Sequence, residues 1–244
     1  MFLINVFKVP CHASKLTRPT QLLAVSFYYP PATNPRAVQV SRLLEHLKLP
    51  TLLVCAADYP TDDRIDRNLS PLADESLQEC LRVPFSQLAW KRLLARVAYP
   101  FNIRLWEQTP DRYSDWKPAV LRALKDKCEQ ANFKAAVIVT FGTPMSDHLI
   151  GLELKSRYGI PWIAHFSDPW IENPFKSYNW FTKSFNVLLE RKVVEAADRL
   201  VYTSQETADI VFLQHRTVSG MTGRRTGRGG YEESRHGCLL GTGA

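Results

Sequence analysis

The stretch AAVIVTFGTPMSDHLIGLELKSRYGIPWIAHFSDPW, residues 135–170, decides the fold. Two short apolar runs, at 135–141 and 162–166, flank a segment opened by Thr143, Ser146 and Asp147, residue types that cap helices. The runs are apolar at nearly every position rather than at alternate ones, as in strands buried on both faces. Strand, helix and strand in that order make a right-handed βαβ unit, and so predict parallel pairing.

Working outward, a third run of this kind lies at 52–56, and strands at 22–28 and 199–203 complete a set of five. Amphipathic patterns fill the gaps. Val40, Leu43, Leu44 and Leu47 oppose Arg42, Glu45, His46 and Lys48. Val120, Leu121, Leu124 and Cys128 follow Pro118, and a third stripe runs Phe181, Phe185, Leu188, Leu189, Val193 and Ala196. With each stripe turned to the sheet, the chain is expected to be an α/β protein with a Rossmann-like doubly wound parallel sheet. Residues 58–113 contain Pro60, Pro71, Pro84, Pro100 and Pro110. They read as a long excursion with little regular structure beyond a helix at 87–98.

The 244 residues are enough for one full domain, and 45% hydrophobic with 23% charged residues excludes collagen-like, coiled-coil and wholly disordered classes. Cys11, Cys55, Cys80, Cys128 and Cys238 form no C-x-x-C pair, which fits a reducing cytoplasm better than a disulfide framework. MFLINVFKVP is interrupted by Lys8 and Pro10 and lacks a leading basic region, so it is a poor signal peptide. A soluble protein, at most peripheral at the inner membrane face, is expected. The net charge of +7 invites a nucleic-acid reading, but part of the excess comes from arginines after residue 215, and no nucleic-acid partner is expected. Eight of the eleven glycines lie at 220–243, in a segment with almost no apolar periodicity. The expected organisation is an extension at 1–21, a domain at 22–213 and a disordered tail at 214–244, translated out of frame after a deletion.

In open parallel sheets, ligands sit beyond the carboxyl ends of the strands. His165 and Asp168 occupy such an end. A histidine there can take a proton from a hydroxyl near neutral pH, and an aspartate can orient the imidazole or accept a hydrogen bond from a ligand hydroxyl. Structural readings stand beside these: a hydrogen-bonded core histidine, and a turn aspartate before Pro169. Glu190, Arg191 and Asp198 read as solvent-facing or inter-element pairs. Trp170, Phe175, Tyr178, Trp180 and Phe181 read as core residues, with sugar stacking or membrane contact as the alternative. No G-x-G-x-x-G, Walker A loop or G-x-S-x-G elbow is present, which counts against dinucleotide enzymes, ATPases and α/β-hydrolases.

Three segments taken in order, YYPPATNPRAVQVSRLLEHL (28–47), TFGTPMSDHLIGLELKSRYGIPWIAHFSDPW (140–170) and LLERKVVEAADRLVYTSQETA (188–208), resemble the N-terminal domain of family four GT-B glycosyltransferases. The resemblance covers residues 22–210. It implies two facing Rossmann-like domains, a nucleotide-sugar donor held mainly by the second, and a saccharide or lipid-linked acceptor held by the first, with no cofactor or bound metal. It further implies that the loop at 30–36 lines the cleft, with His165 and Asp168 as catalytic residues on its floor. Asn34, Arg36, Thr143, Trp170, Ser204 and Glu206 are then acceptor-binding. Two departures stand out: Pro31, Ala32, Thr33, Asn34 and Pro35 replace the glycines of many relatives, and Ser167 stands where relatives with a DFRDPW-like segment have arginine. The chain is therefore expected to be the acceptor-side half of such an enzyme, inactive without a donor-binding domain. A non-catalytic Rossmann-like module binding a sugar or nucleotide is the alternative.

Overall fold

The computed structural model describes residues 5–8, 21–59, 64–66, 68–69, 77–86, 93, 109–129, 135–173, 176 and 178–222. All five expected strands form: β2 (Gln21–Val25), β3 (Thr51–Ala56), β5 (Ala135–Gly142), β6 (Trp162–Phe166) and β7 (Arg199–Tyr202). Two more join them, β1 (Asn5–Lys8) and β4 (Glu79–Val83). The sheet order is β1-β7-β6-β5-β2-β3-β4. β2 to β7 are mutually parallel, and β1 adds antiparallel to β7. Counted from β4 inward, the six parallel strands run in the Rossmann order 3-2-1-4-5-6. The winding reverses between β2 and β5, so the crevice of this fold opens at their carboxyl ends.

Burial on both faces explains the unbroken apolar runs. Leu22 and Ala24 pack with Leu53, Cys55, Val139 and Phe141 on one face, under Val40 and Leu44 of α1 (Pro35–Leu47). Leu23 and Val25 face the other way, with Leu52, Val54, Ile138 and Ala164. That second face is covered by α2 (Trp116–Glu129), α3 (Ser146–Tyr158), α4 (Trp180–Ala196) and α5 (Gln205–Thr222), through Trp116, Val120, Ile150, Leu154, Val193, Ala208 and Val211.

The structure departs from the sequence expectations in several places. β4 lies inside the excursion expected to be irregular; its Glu79 and Arg82 mask an edge strand whose Val83 is buried. All but Leu93 of the helix expected at 87–98 lies outside the described residues. α5 continues to Thr222, past the expected start of the tail at 214, and residues 223–244 lie outside the described residues.

The largest departure concerns α4. Of the stripe read as core-facing, Phe181, Phe185 and Leu188 are exposed, while Val193 is buried and Leu189 and Ala196 pack partly buried against the core; Thr182, Asn186 and Glu190 are buried as well. Trp180, in the aromatic group read as core, is exposed too. Polar bonds fix this rotation. Asn179 caps the helix by accepting from Thr182 N at 2.9 Å. The indole N–H of the buried Trp170 donates to Asn186 Oδ1 at 3.0 Å, and Asn186 Nδ2 donates to Thr182 O at 2.8 Å. Glu190, read as a solvent-facing or inter-element group, is fully buried with His215 Nε2 of α5 3.4 Å from its carboxylate.

α3 lies close on the sheet. A Cβ added to Gly151 would stand 2.4 Å from Trp162 Nε1 and 2.6 Å from Thr140 Cγ2, while the indole N–H already donates to Thr140 Oγ1 at 2.8 Å. Glycine is needed there for close approach rather than for backbone freedom. Gly151→Ala is expected to lower unfolding stability by about 1–3 kcal/mol through overpacking; an unchanged urea midpoint would show that the contact relaxes without cost.

Candidate active site

Side chains from four segments converge at the carboxyl ends of β2, β5 and β6. Asn34 caps α1, its side chain accepting from Ala37 N at 2.8 Å, and Pro35 at the first helical position suits the start. The cap places Arg36 in the first turn of α1, where its guanidinium is buried against β6. Arg36 Nη2 donates to His165 O at 3.2 Å and lies 3.3 Å from His165 Nδ1, while Nη1 donates to Gln39 Oε1 at 2.6 Å. The guanidinium also stands 5.7 Å from the Phe141 ring centroid.

Arginine can only donate, so the short approach makes His165 Nδ1 the acceptor and leaves the ring proton on Nε2. Burial, assisted by the Arg36 charge, pushes the imidazole down to about 3. A histidine so depressed is neutral at physiological pH and presents an N–H. This corrects the sequence reading of His165 as a group that takes up a proton near neutral pH. Arg36 itself is lowered to about 10 by burial, with Asp147 and Asp168 acting in the opposite direction.

Beneath this pair lies a buried acidic framework that the sequence reading assigned at most to helix capping. Asp147 Oδ2 accepts from Phe27 N at 2.8 Å, joining α3 to the loop after β2. Its Oδ1 has no hydrogen-bond partner, and burial raises its carboxyl well above the usual range. Asp111 caps α3 from outside: Oδ2 accepts from Ser146 N at 2.8 Å and Oδ1 from Ser146 Oγ at 3.0 Å. Burial raises the Asp111 carboxyl also. Ser146 and Asp147 therefore do not cap α3 themselves; Met145 holds that position without a side-chain bond. His148 Nδ1 lies 2.8 Å from Thr140 Oγ1, and burial moves this imidazole well below its ordinary range. Its Nε2 would meet a Cβ on Gly142 at 2.6 Å, so the strand end has room only for glycine.

The remaining candidates divide. Asp168 is exposed at the end of β6, accepts from Ser167 Oγ at 2.8 Å, and lies within electrostatic reach of Arg36 and of Lys176, whose ammonium is lowered by burial. It does not orient His165, whose Nδ1 belongs to Arg36. Thr143 is half-buried in the loop after β5. Trp170 is wholly buried and serves the core. Ser204 Oγ accepts from Thr207 N at 3.2 Å at the start of α5, and the backbone N–H of Glu206, joined by the Ser204 side chain, holds the Glu206 carboxyl below its ordinary range, so these two form a helix start. Asp111, His148 and Lys176 escaped the sequence reading because nothing local marks them. Asp111 lies 35 residues from the helix it caps.

The family model for the glycosyl transferase 4-like domain matches residues 32–216, which include every side chain named above, though not the Phe27 amide. No curated protein matches the chain.

The depressed imidazole of His165 carries a stability consequence. Unfolded, it takes up a proton as pH falls below its ordinary 6.5; folded, it does not until about 3. Its contribution therefore makes the folded state lose stability as pH falls from 6.5 toward 3, at a slope approaching about 1.4 kcal/mol per pH unit. Asp111 and Asp147, with raised values, act in the opposite direction, so the comparison must isolate one group. Urea unfolding of His165→Gln between pH 7 and 4 is expected to show a shallower acid loss than the parent. Parallel slopes would mean that the imidazole is protonated in the fold.

Proposed function

The chain belongs to the glycosyl transferase 4-like family, and on that premise we propose that its Rossmann-like unit is the acceptor-holding wall of an enzyme that moves sugar from a nucleotide-sugar donor to a saccharide or lipid-linked acceptor. The observation that carries the reading is the Arg36–His165 pair at the mouth of the switch-point crevice, with Asp168 and Lys176 beside it.

In such a transfer an acceptor hydroxyl oxygen bonds to the anomeric carbon, the bond to the nucleotide diphosphate breaks, and the hydroxyl proton must leave. His165 presents Nε2–H and so orients the acceptor by donating to one of its oxygens, while Arg36 holds the ring in that tautomer. Asp168, an exposed carboxylate at the same strand end, is placed to receive the proton. Lys176 adds positive charge near Asp168, which suits an acceptor carrying phosphate, as lipid-linked saccharides do. The nucleotide sugar needs an opposing wall, because proximity cannot be supplied from one side of a cleft. The described unit by itself is therefore proposed to hold acceptor and to transfer negligibly, in polysaccharide or glycolipid assembly on the cytoplasmic side of a membrane.

The test is a chimera that pairs this unit with a family relative's donor-binding domain, assayed with labelled nucleotide sugars. Asp168→Asn is expected to lower kcat by about 10²-fold or more, with thermal unfolding unchanged. His165→Ala should raise KM more than it lowers kcat, and the parent's kcat should show no ionisation near pH 6.5. Activity that falls only in proportion to lost folded protein would remove both residues from the site. Tight nucleotide binding without transfer in the chimera would favour a binding module.

A further inference from the structure

The outward face of α4 is chemically inverted. A helix on a sheet normally turns its apolar stripe inward. Here Thr182, Asn186 and Glu190 are buried beside Val193, and Val187, Leu189, Val194 and Ala196 pack partly buried against the core, while a second apolar stripe stands in solvent: Trp180 is 69% exposed, Phe181 60%, Phe185 52% and Leu188 56%. Phe181, Phe185 and Leu188 follow one another at i, i+4 and i+7, one continuous stripe. Trp180 stacks on Phe181 with ring centroids 3.6 Å apart, concentrating aromatic surface at the start of the helix. The Asn179 cap, the Trp170–Asn186 bond and the burial of Glu190 hold the helix in this rotation, so the stripe cannot roll inward without breaking them.

We propose that this face docks on an anionic lipid bilayer, with Trp180, Phe181, Phe185 and Leu188 entering the headgroup boundary. Two observations choose this occupant over a protein. The first is size. With about 150–250 Å² for a whole aromatic side chain, the patch offers on the order of 400–500 Å², short of the ~800 Å² each partner contributes to a stable interface. The second is charge. Lys192 continues the stripe at i+11, exposed, and Arg191 and Lys183 flank it, paired to Glu195 and Glu172, so that three basic side chains stand against two acidic ones. Aromatic and aliphatic side chains along a helix with basic flanks suit the plane of an interface. No helix among the described residues is long and apolar enough to cross a membrane, so the contact proposed is peripheral. The inference deepens the proposal of a lipid-linked acceptor and rests on it for its purpose, but its test contains no sugar and reads lipid binding alone.

The experiment is vesicle flotation of the full chain with liposomes of equal parts phosphatidylglycerol and phosphatidylcholine, and with phosphatidylcholine alone. The parent is expected to float with the anionic vesicles, less at higher salt, and weakly with the neutral ones. Phe181→Ser/Phe185→Ser should weaken partitioning at least tenfold with thermal unfolding unchanged, since neither side chain is buried. A measurement on the parent fold guards against a folding defect in that variant. On addition of anionic vesicles, the emission lost in Trp180→Phe should shift to the blue and be quenched by brominated lipid. Failure of the parent to bind anionic vesicles, undiminished binding by the double variant, or an unquenched Trp180 would each overturn the proposal. So would a lipid-free dimer of the parent that Phe181→Ser/Phe185→Ser converts to monomer, which would assign the face to a second copy.

Discussion

Asp147 reaches out of the first turn of α3 to accept the amide of Phe27, 120 residues earlier, and the site is built around that bond. It ties the loop leaving β2 to the helix leaving β5, the two strands between which the winding reverses. A buried carboxylate without partners would be strongly disfavoured. Here one oxygen is satisfied by a main-chain donor and the ionisation of the group is suppressed by burial. Because Asp147 turns to Phe27, α3 cannot cap itself with its own first residues, and Asp111 supplies the cap from a distant segment. The same segment meets the β2 loop again where the Tyr28 and Tyr113 hydroxyls lie 2.6 Å apart. Three stretches of chain are thus locked together beneath Arg36 and His165, and the crevice floor is rigid for reasons that have nothing to do with its ligand.

How much of this the sequence discloses follows from what each signal measures. Strands buried on both faces are apolar at every position, and the three that read that way, β3, β5 and β6, are present within a few residues of their expected ends, as are β2 and β7. β4 was hidden because an edge strand tolerates Glu79 and Arg82. β1, four residues long, carries too little pattern to be read. His165, Asp168 and Arg36 stand out in the sequence because strand ends and the first turns of following helices are where this fold gathers ligands. The tautomer and basicity of His165 do not show there, since they follow from its burial and from Arg36, 129 residues away in the chain. Asn34, Trp170 and Ser204 were read as binding groups because caps and buried indoles use the same residue types as binding sites do.

α4 shows a different limit. Helical periodicity finds a stripe but cannot say which way the stripe faces; that depends on what the opposite side can bond to. Here the core offers a polar partner, the indole N–H of Trp170, and Asn186 turns to meet it, carrying Glu190 in beside His215 without a hydrogen bond. A Trp170 indole left without its acceptor in the core would cost free energy, whereas the two phenylalanines can remain at the surface.

The strand order also bears on how the chain is made. β2 leaves the ribosome early and pairs with β3 on one edge, but its other edge belongs to β5, about 110 residues later. At ordinary synthesis rates that interval lasts on the order of 5–25 s. Throughout it, a strand destined for the centre of the sheet has an open row of amides and carbonyls and no lasting neighbour. Nascent copies on one messenger would carry the same open edge side by side. The chain's dependence on chaperones during synthesis should therefore end when residue 142 has cleared the exit tunnel, rather than at release.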